Sequence, residues 1–273
     1  MIRRLVVYAE AIMKFFWALF LSAMFSFVGC ATSETNQSTF RVLSYNIHHG
    51  EGGDGKIDLK RIAAFIKETK ADIVGLQEID RGVERTARQD FPKELAKLTG
   101  MQVYFERNII YQGGDYGNAV LTKFPIKKKK NTRYKMLREG EQRGVLQLVL
   151  DVHGKDLLFM DTHIDYRPED DERVINADEL KQIVADAGKM PVILCGDFND
   201  SPGSRTHQKM KTFLDDTWEL IGQGKGFTIP VETPDNRIDY IWISKETIEP
   251  LKIEVPKTDV SDHLPVLGEF RFR

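Results

Sequence analysis

The chain alternates between apolar, strand-like runs and amphipathic helical segments from residue 40 to its end. Residues 40–47, 71–78 and 191–196 are apolar and contain β-branched side chains, which is typical of short buried strands. The same pattern predicts further strands near 102–111, 117–123, 126–137, 143–152, 156–163, 238–243, 248–255 and 265–272. So many strands exceed what one open twisted sheet carries comfortably, and two packed sheets are therefore predicted.

Helical segments separate some of these strands. Asp58 is the predicted N-cap of a helix in which Leu59, Ile62 and Ile66 fall at helical spacing. The remaining helices are predicted near 91–98, 169–187 and 205–214. Because some strands alternate with helices and others follow one another directly, the sheets are predicted to be mixed. The expected fold class is α/β (α+β), with two packed mixed β-sheets flanked by helices.

The N-terminal residues do not fit this pattern. A basic flank precedes an apolar block, 15–29, that ends at Cys30. This arrangement predicts a secretory signal peptide over residues 1–29, because the block is short for a membrane span. Its ending resembles a bacterial lipoprotein signal, so we expect lipidation of Cys30, export, and a membrane anchor in the periplasm or at the cell surface. A plain cleaved signal and an uncleaved anchor are the alternatives. Residues 30–39 are polar and small, as in a flexible tether.

The charge balance argues against a protein that grips long polyanions. The chain has 39 Lys and Arg against 41 Asp and Glu. Removal of the signal peptide takes away three basic residues and one acidic residue, so the formal charge changes from −2 to −4. Nucleic acid is therefore a permitted partner but not a favoured one. A basic strip at 127–138 admits contact with nucleic acid or anionic lipid, but an edge strand protected by lysines is the favoured interpretation.

Residues 40–273 are predicted to form a single domain, because no repeat, low-complexity tract or linker interrupts them. The chain has two cysteines. If Cys30 is lipidated, Cys195 has no partner for an internal disulfide, and its apolar strand predicts a small buried hydrophobic side chain. We expect the protein to be a monomer.

Polar side chains follow the apolar strands at their ends. Asp197 and Asn199 leave one strand at positions i and i+2, so both point to the same side of an extended chain. A turn after a strand uses the same residue types. Similar strand ends recur at Ser44-Tyr45-Asn46, Leu76-Gln77-Glu78, Asp161-Thr162-His163, Arg237-Ile238-Asp239-Tyr240 and Ser261-Asp262-His263. Catalytic groups commonly occupy such strand ends in α/β sheets, so we expect these side chains to converge.

The converging side chains would form a pocket of carboxylates, amides and two histidines, without a thiol ligand. Oxygen-rich ligand sets favour hard cations such as Mg²⁺, Mn²⁺ or Ca²⁺ over zinc. Histidines suit proton transfer or phosphate contact near neutral pH. The combination indicates hydrolysis of a phosphate ester by an activated water.

These motifs resemble, in order and over residues 44–263, those of the endonuclease/exonuclease/phosphatase superfamily, the DNase I-like metal-dependent phosphoesterases. The resemblance implies a four-layer α/β sandwich, in agreement with the two predicted sheets. It also implies Mg²⁺ or Mn²⁺ as the cofactor. Glu78 would be the principal metal ligand, supported by Asn46 and, directly or through water, by Asp262.

The resemblance also implies the catalytic roles. Asp197 would orient and deprotonate the attacking water, and Asn199 would hold the phosphate or that water. His163 and His263 would contact the phosphate and stabilise the transition state. Asp239 would fix the tautomer of His263 and raise its basicity.

Three further residues are candidates for contact with the substrate. Tyr166 and Arg167 follow His163 closely and could contact the part of the substrate beyond the phosphate. Capping and packing at the start of the next helix explain the two residues equally well. Arg143 opens a strand and could face the phosphate, with a structural salt bridge as the alternative.

The sequence thus predicts an exported, lipid-anchored phosphodiesterase or phosphatase that acts on a small or lipid-type phosphoester. An extracellular endonuclease or exonuclease is the alternative. A non-catalytic binding module on the same fold is less favoured, because every expected polar position is filled.

Overall fold

The computed structural model describes residues 38–273. The predicted signal peptide, Cys30 and most of the predicted tether lie outside the described residues. Within residues 38–273, no helix combines the length and apolar character needed to cross a bilayer.

Twelve strands and five helices make up the described part of the chain. The strands are β1 (Phe40–Asn46), β2 (Ile73–Arg81), β3 (Gln102–Tyr111), β4 (Gly114–Thr122), β5 (Ile126–Arg133), β6 (Gly144–Val152), β7 (Lys155–His163), β8 (Val192–Asp197), β9 (Asp215–Asp216), β10 (Asp239–Ile243), β11 (Ile248–Glu254) and β12 (Val266–Phe272). The helices are α1 (Leu59–Thr69), α2 (Phe91–Thr99), α3 (Asp171–Asp186), α4 (Arg205–Met210) and α5 (Thr217–Ile221). Two 3₁₀ turns lie at His48–Gly50 and Glu84–Thr86.

The strands form two mixed sheets of six strands each, which confirms the predicted fold class. One sheet has the order β11-β12-β1-β2-β4-β3, and the other has the order β5-β6-β7-β8-β10-β9. Each sheet contains one parallel pair, β1 with β2 and β7 with β8, and the other neighbours are antiparallel. The lysine-rich strand β5 lies at an edge, which confirms the predicted edge strand.

Alternating side chains place each sheet between a second sheet and a helical layer. Phe40 and Val42 of β1 pack in one cluster with Phe159 of β7 and Ile193 of β8, between the two sheets. Leu43, one position along β1, instead packs in the cluster that contains the apolar face of α1. This alternation follows from the two-residue period of a strand. The apolar face of α3 covers the second sheet in the same way.

The predicted starts of the helices agree with the structure better than the predicted ends of helices and strands. The side chain of Asp58 accepts hydrogen bonds from the backbone N–H of Lys60 and Arg61, which confirms the predicted N-cap. The strand predicted over 126–137 ends at Arg133, and the helix predicted over 205–214 ends at Met210. Helix and strand ends depend on local capping and tertiary contacts that periodicity does not capture.

Candidate active site

Strand register aligns the polar strand ends within each sheet. His163 of β7 is paired with Asp197 of β8, and Asp197 is paired in turn with Asp239 of β10. In the other sheet, Asn46 of β1 is paired with Gln77 of β2. The side chain of Asn46 then joins the two sheets, because its Nδ2 donates a hydrogen bond to Oδ2 of Asp197 at 3.0 Å.

The turn after β8 serves both the backbone and the site. Oδ1 of Asp197 accepts a hydrogen bond from the backbone N–H of Asn199 at 2.8 Å, so this oxygen closes the turn. Oδ2 of the same carboxylate faces Asn46. Gly196, at φ 151°, is required here, because a Cβ on it would lie 1.9 Å from the carbonyl oxygen of Thr162. The turn is therefore confirmed, and the functional interpretation of Asp197 and Asn199 stays a prediction.

A bulge in β2 directs Glu78. The register of β2 against β4 shifts between Leu76 and Ile79, and Glu78 has φ 61°. Bulges of this kind commonly redirect a side chain next to an active site. Oε1 of Glu78 accepts a hydrogen bond from Nδ2 of Asn46 at 3.1 Å. Burial raises the pKa of Glu78, but the pKa is nevertheless held well below its usual range, with hydrogen bonds from His49 and Asn46 among the causes.

Asp197 lies between two histidines. Its Oδ2 is 3.5 Å from Nε2 of His163 and 3.8 Å from Nε2 of His263. Burial, together with the charge of Asp239, raises the pKa of Asp197 to about 7. A carboxylate with a pKa near neutrality is suited to accept a proton from water.

His263 is held by a carboxylate on its far side. Its Nδ1 lies 2.9 Å from Oδ2 of Asp239. Burial lowers the pKa of His263, but the charges of Asp239 and Asp197 outweigh burial and raise the pKa to about 10. His263 is therefore a cation at neutral pH, with its Nε2 edge directed toward Asp197.

His163 has the opposite protonation state. Burial lowers the pKa of His163 well below its ordinary value, and the charge of Arg143 lowers it further. The neutral ring lies with Nε2 3.0 Å from Nδ2 of Asn199, which also donates to the carbonyl of Ile164 at 3.2 Å. The two histidines thus flank one carboxylate, one neutral and one charged.

Asp262 reaches the site from the loop before β12. Oγ of Ser261 donates a hydrogen bond to the carbonyl of Asn46 at 2.8 Å, which fixes this loop against β1. The Asp262 carboxylate is half exposed, and its Oδ1 lies 3.7 Å from Nδ1 of His48. The amide oxygen of Asn46 accepts a hydrogen bond from the backbone N–H of His48 at 3.0 Å, and its Nδ2 faces Glu78 and Asp197. An ionised Glu78 and an accessible Asp262 carboxylate are oxygen ligands of the type that hard divalent cations bind.

Arg143 lies immediately before Gly144, the cross-strand partner of His163. It is buried, forms an ion pair with Oε1 of Glu141 at 3.0 Å, and lies 5.6 Å from the ring centroid of Tyr166. Its Nε is buried without a hydrogen-bond partner among the described residues. Arg143 therefore has both the predicted salt bridge and a free donor near the site.

Tyr166 and Arg167 have different environments in the structure. Tyr166 is 61% exposed and is accessible to a ligand. Arg167 forms ion pairs with Asp165 at 2.8 Å and Glu172 at 2.9 Å, so its guanidinium anchors the start of α3. Its predicted contact with substrate stays a prediction.

One buried group behind the site was not assigned a role from the sequence. Asp161 accepts a hydrogen bond from Nε2 of Gln77 at 2.5 Å and lies 3.5 Å from Sγ of Cys195. Burial raises the pKa of Asp161 well above its ordinary value. Alternation along β7 could have indicated this position, because Phe159, Asp161 and His163 share one face.

A second histidine–carboxylate cluster is formed by residues of α4, β9 and α5. Nε2 of His207 lies 3.0 Å from Oδ2 of Asp216 and 3.6 Å from Oε1 of Glu219. NH1 of Arg237 donates to both oxygens of Asp216, at 3.0 and 2.8 Å. A guanidinium already occupies the place where a cation would bind, so this cluster is a buried ion-pair network.

Comparison with known proteins places the chain in a family. The model of the Endonuclease/Exonuclease/phosphatase family matches residues 43–263, so the chain belongs to this family. It is 30% identical to the protein YbhP of Escherichia coli K12 over 253 residues, which cover 86% of this chain and 98% of YbhP.

Solved structures share the fold. A family protein from Bacteroides thetaiotaomicron superposes with a TM-score of 0.74 at 21% identity, over 87% of this chain and 99% of that protein. The mannosyl-6-phosphatase Bt3783 of Bacteroides thetaiotaomicron superposes with a TM-score of 0.73 at 21% identity, over 85% of this chain and all of that protein. Members of this family are hydrolases that act on phosphoester bonds.

Proposed function

We propose that this protein is a divalent-cation-dependent hydrolase in which water attacks the phosphorus of a small or lipid-type phosphate ester. The observation that carries this proposal is the position of Asp197 between a neutral His163 and a charged His263. A base positioned for the attacking water and a cationic donor for the developing charge on phosphate are groups that promote phosphate ester hydrolysis.

Each side chain then has a distinct task. Asp197 accepts the proton of the attacking water, and its hydrogen bonds to Asn46 and Asn199 hold it in place. His263, kept protonated by Asp239, donates to a phosphate oxygen as negative charge develops there. His163 contacts the phosphate as a neutral ring fixed by Asn199.

Mg²⁺ or Mn²⁺ is the proposed cofactor, held by Glu78 and Asn46 with Asp262 bound directly or through water. When bound, the cation would supply Lewis acidity at the phosphate. Removal of one charged ligand weakens a hard-cation site, so the Glu78→Gln variant should require a higher Mg²⁺ concentration for half-maximal activity. Isothermal titration of Mn²⁺ into both proteins gives a second readout, and equal affinity would contradict this assignment.

The primary test is hydrolysis by the purified protein of a panel containing phosphomonoesters, phospholipids, RNA and plasmid DNA. We expect phosphate or alcohol release from small esters that stops with a chelator and returns with Mg²⁺ or Mn²⁺. Efficient cutting of plasmid DNA at physiological salt would instead favour the nuclease alternative. Absence of hydrolysis with every divalent cation would favour a binding module.

The name of one structural neighbour supports a small substrate, since Bt3783 is described as a mannosyl-6-phosphatase. The formal charge of −4 expected after signal removal also gives little support to binding of a long polyanion.

We further propose export to the cell envelope with a lipid on Cys30. Metabolic labelling with a fatty acid should mark the wild-type protein and not the Cys30→Ser variant, which should also leave the membrane fraction. Equal labelling of both proteins would contradict the anchor. Light scattering of the detergent-solubilised protein should give the mass of a monomer.

A further inference from the structure

A pocket adjoins the candidate active site on the side of β3 and β4. It lies between the β3–β4 hairpin, the Glu84–Thr86 turn and the loop that precedes β6, and it has a volume of about 410 Å³. Ligand pockets for small molecules commonly have volumes of about 300–1,000 Å³. None of the tasks given above to the catalytic side chains uses this pocket.

One wall is aromatic and carries no free charge. The rings of Tyr111 and Tyr116 lie with their centroids 6.4 Å apart. The guanidinium of Arg85 lies 4.8 Å from one centroid and 5.4 Å from the other. Asp80, which is fully buried, compensates this cation through hydrogen bonds of 2.8 and 3.0 Å. Ile110, 69% exposed, extends the apolar surface at the rim.

The facing wall carries a compensated carboxylate. Glu141 lines the pocket, and its Oε1 is paired with Arg143 at 3.0 Å. The side chain is 26% exposed, so it remains accessible to a small molecule. Carboxylate oxygens accept hydrogen bonds from hydroxyl groups. The pocket therefore combines ring faces with a hydrogen-bond acceptor, without a net charge.

Both walls connect directly to residues of the candidate active site. Tyr116 is the cross-strand partner of Asp80, two residues after Glu78 in β2. On the other side, Glu141 forms an ion pair with Arg143, which immediately precedes the cross-strand partner of His163. Both walls of the pocket therefore lie next to strands that carry Glu78 and His163.

We propose that this pocket binds the alcohol part of the phosphate ester, and that this part is an uncharged hydroxylated ring such as a sugar. The C–H faces of such a ring pack on Tyr111 and Tyr116, and its hydroxyl groups donate to Glu141. A second phosphate is disfavoured, because Arg85, the cation among the described residues that line the pocket, is already paired with Asp80.

This inference rests on the proposed function and specifies the leaving group. In the reaction, the water oxygen forms a bond to phosphorus and the bond from phosphorus to the sugar oxygen breaks. One proton of the water goes to Asp197, and the sugar oxygen takes up a proton from solvent water as it leaves. The products are the free sugar and a phosphate.

The test compares kcat/KM for a hexose 6-phosphate with kcat/KM for glycerol 3-phosphate, which lacks a ring. The Tyr111→Ala variant should lower the ratio of the two values about three- to tenfold, the size expected for loss of one aromatic contact. Tyr111→Phe keeps the ring and should keep the ratio. Leu251→Ala is the matched control, because Leu251 and Tyr111 are both 39% exposed and Leu251 lies outside the pocket.

A binding measurement separates this inference from the proposed function. Saturation-transfer NMR with an unphosphorylated methyl hexoside should show contact with wild-type protein and a weaker signal with Tyr111→Ala. Hexoside binding without hydrolysis of any ester would support the pocket and contradict the proposed function. Hydrolysis with a ratio unaffected by Tyr111→Ala would overturn the pocket alone. A Tyr111-dependent preference for a nucleoside monophosphate over the hexose phosphate would also overturn the sugar assignment.

Discussion

Two clusters among the described residues contain a buried histidine in contact with a buried carboxylate, and they differ in the partners of the second ring nitrogen. In the first, Nδ1 of His263 lies 2.9 Å from Asp239, and its other edge faces Asp197. In the second, Nε2 of His207 lies 3.0 Å from Asp216. Distance alone does not distinguish the two pairs.

The two clusters differ in the surroundings of the second ring nitrogen of each histidine, the one that does not contact Asp216 or Asp239. Nδ1 of His207 accepts a hydrogen bond from the backbone N–H of Gly203 at 3.2 Å, so both ring nitrogens have partners within the protein. Asp216 is further neutralised by Arg237. Nε2 of His263 instead lies 3.8 Å from Oδ2 of Asp197, beyond hydrogen-bond length, so this donor forms no hydrogen bond with that carboxylate. A histidine whose two ring nitrogens both have partners within the protein fits a structural role. A histidine with one ring N–H left without a partner fits a role in binding or catalysis.

The largest expected effect is loss of activity without loss of fold in the first cluster. Asp197→Asn and His263→Ala should each lower kcat about 10²–10⁴-fold, because a general base or its cationic partner is removed. Circular dichroism should show folded proteins. Turnover near wild-type by both variants on a good substrate would disprove the catalytic assignment.

The second cluster should respond in the reverse way. Asp216→Ala leaves Arg237 buried without its partner, and breaking a buried pair costs about 3–5 kcal/mol in the free energy of unfolding. Urea denaturation measures this loss. Activity of the folded fraction should stay close to that of wild-type protein. A stable but inactive Asp216→Ala protein would mean that the second cluster takes part in the reaction.

Low pH should remove the contribution of Asp216 to the free energy of unfolding. Burial raises the pKa of Asp216, but His207 and Arg237 outweigh burial and lower that pKa below 3.8. A depressed carboxyl pKa stabilises the fold above the unfolded value and loses this effect as pH falls through the folded value. The difference in stability between wild type and Asp216→Asn should therefore be constant near neutral pH and shrink in acid. A difference that grows in acid would contradict the ion-pair network.

The pH dependence of kcat/KM should show the effect of Asp239 on the pKa of His263. The charge of Asp239 helps to raise the pKa of His263 to about 10, so the protonated ring persists through mildly alkaline pH. Asp239→Asn should lower that pKa toward 6.5, and the alkaline decline of kcat/KM should begin at lower pH. The profile of His207→Gln serves as the control and should match wild type. An unchanged alkaline limb in Asp239→Asn would contradict a protonated catalytic His263.

The smallest effect is expected at the exposed margin of the second cluster. Glu219 is 38% exposed on its side chain and lies 3.6 Å from Nε2 of His207. Exposed ion pairs contribute about 0–1 kcal/mol, so Glu219→Gln should change the free energy of unfolding by less than about 1 kcal/mol. A loss as large as that of Asp216→Ala would show that Glu219 is part of the buried network.

Much of the candidate site follows from strand-end patterns, and its electrostatics do not. Asp197 and Asn199 were identifiable from their spacing after a buried strand, and the structure brings both to the site. The opposite protonation of His163 and His263 was not identifiable, because it depends on the burial of one ring beside Arg143 and on Asp239 beside the other ring. The partner of Asp161 was not identifiable either, because Gln77 is distant from it in the chain.

The sequence by itself determined eleven of the twelve strands, the mixed two-sheet fold and the residue types of the site, because strand period and turn chemistry are local properties of the chain. Tertiary structure alone decided that the His263–Asp239 pair faces the candidate site and that the His207–Asp216 pair is neutralised by Arg237. Burial, strand register and the approach of Arg237 and Arg143 set those charges. Each of these depends on segments that meet only after the two sheets have packed.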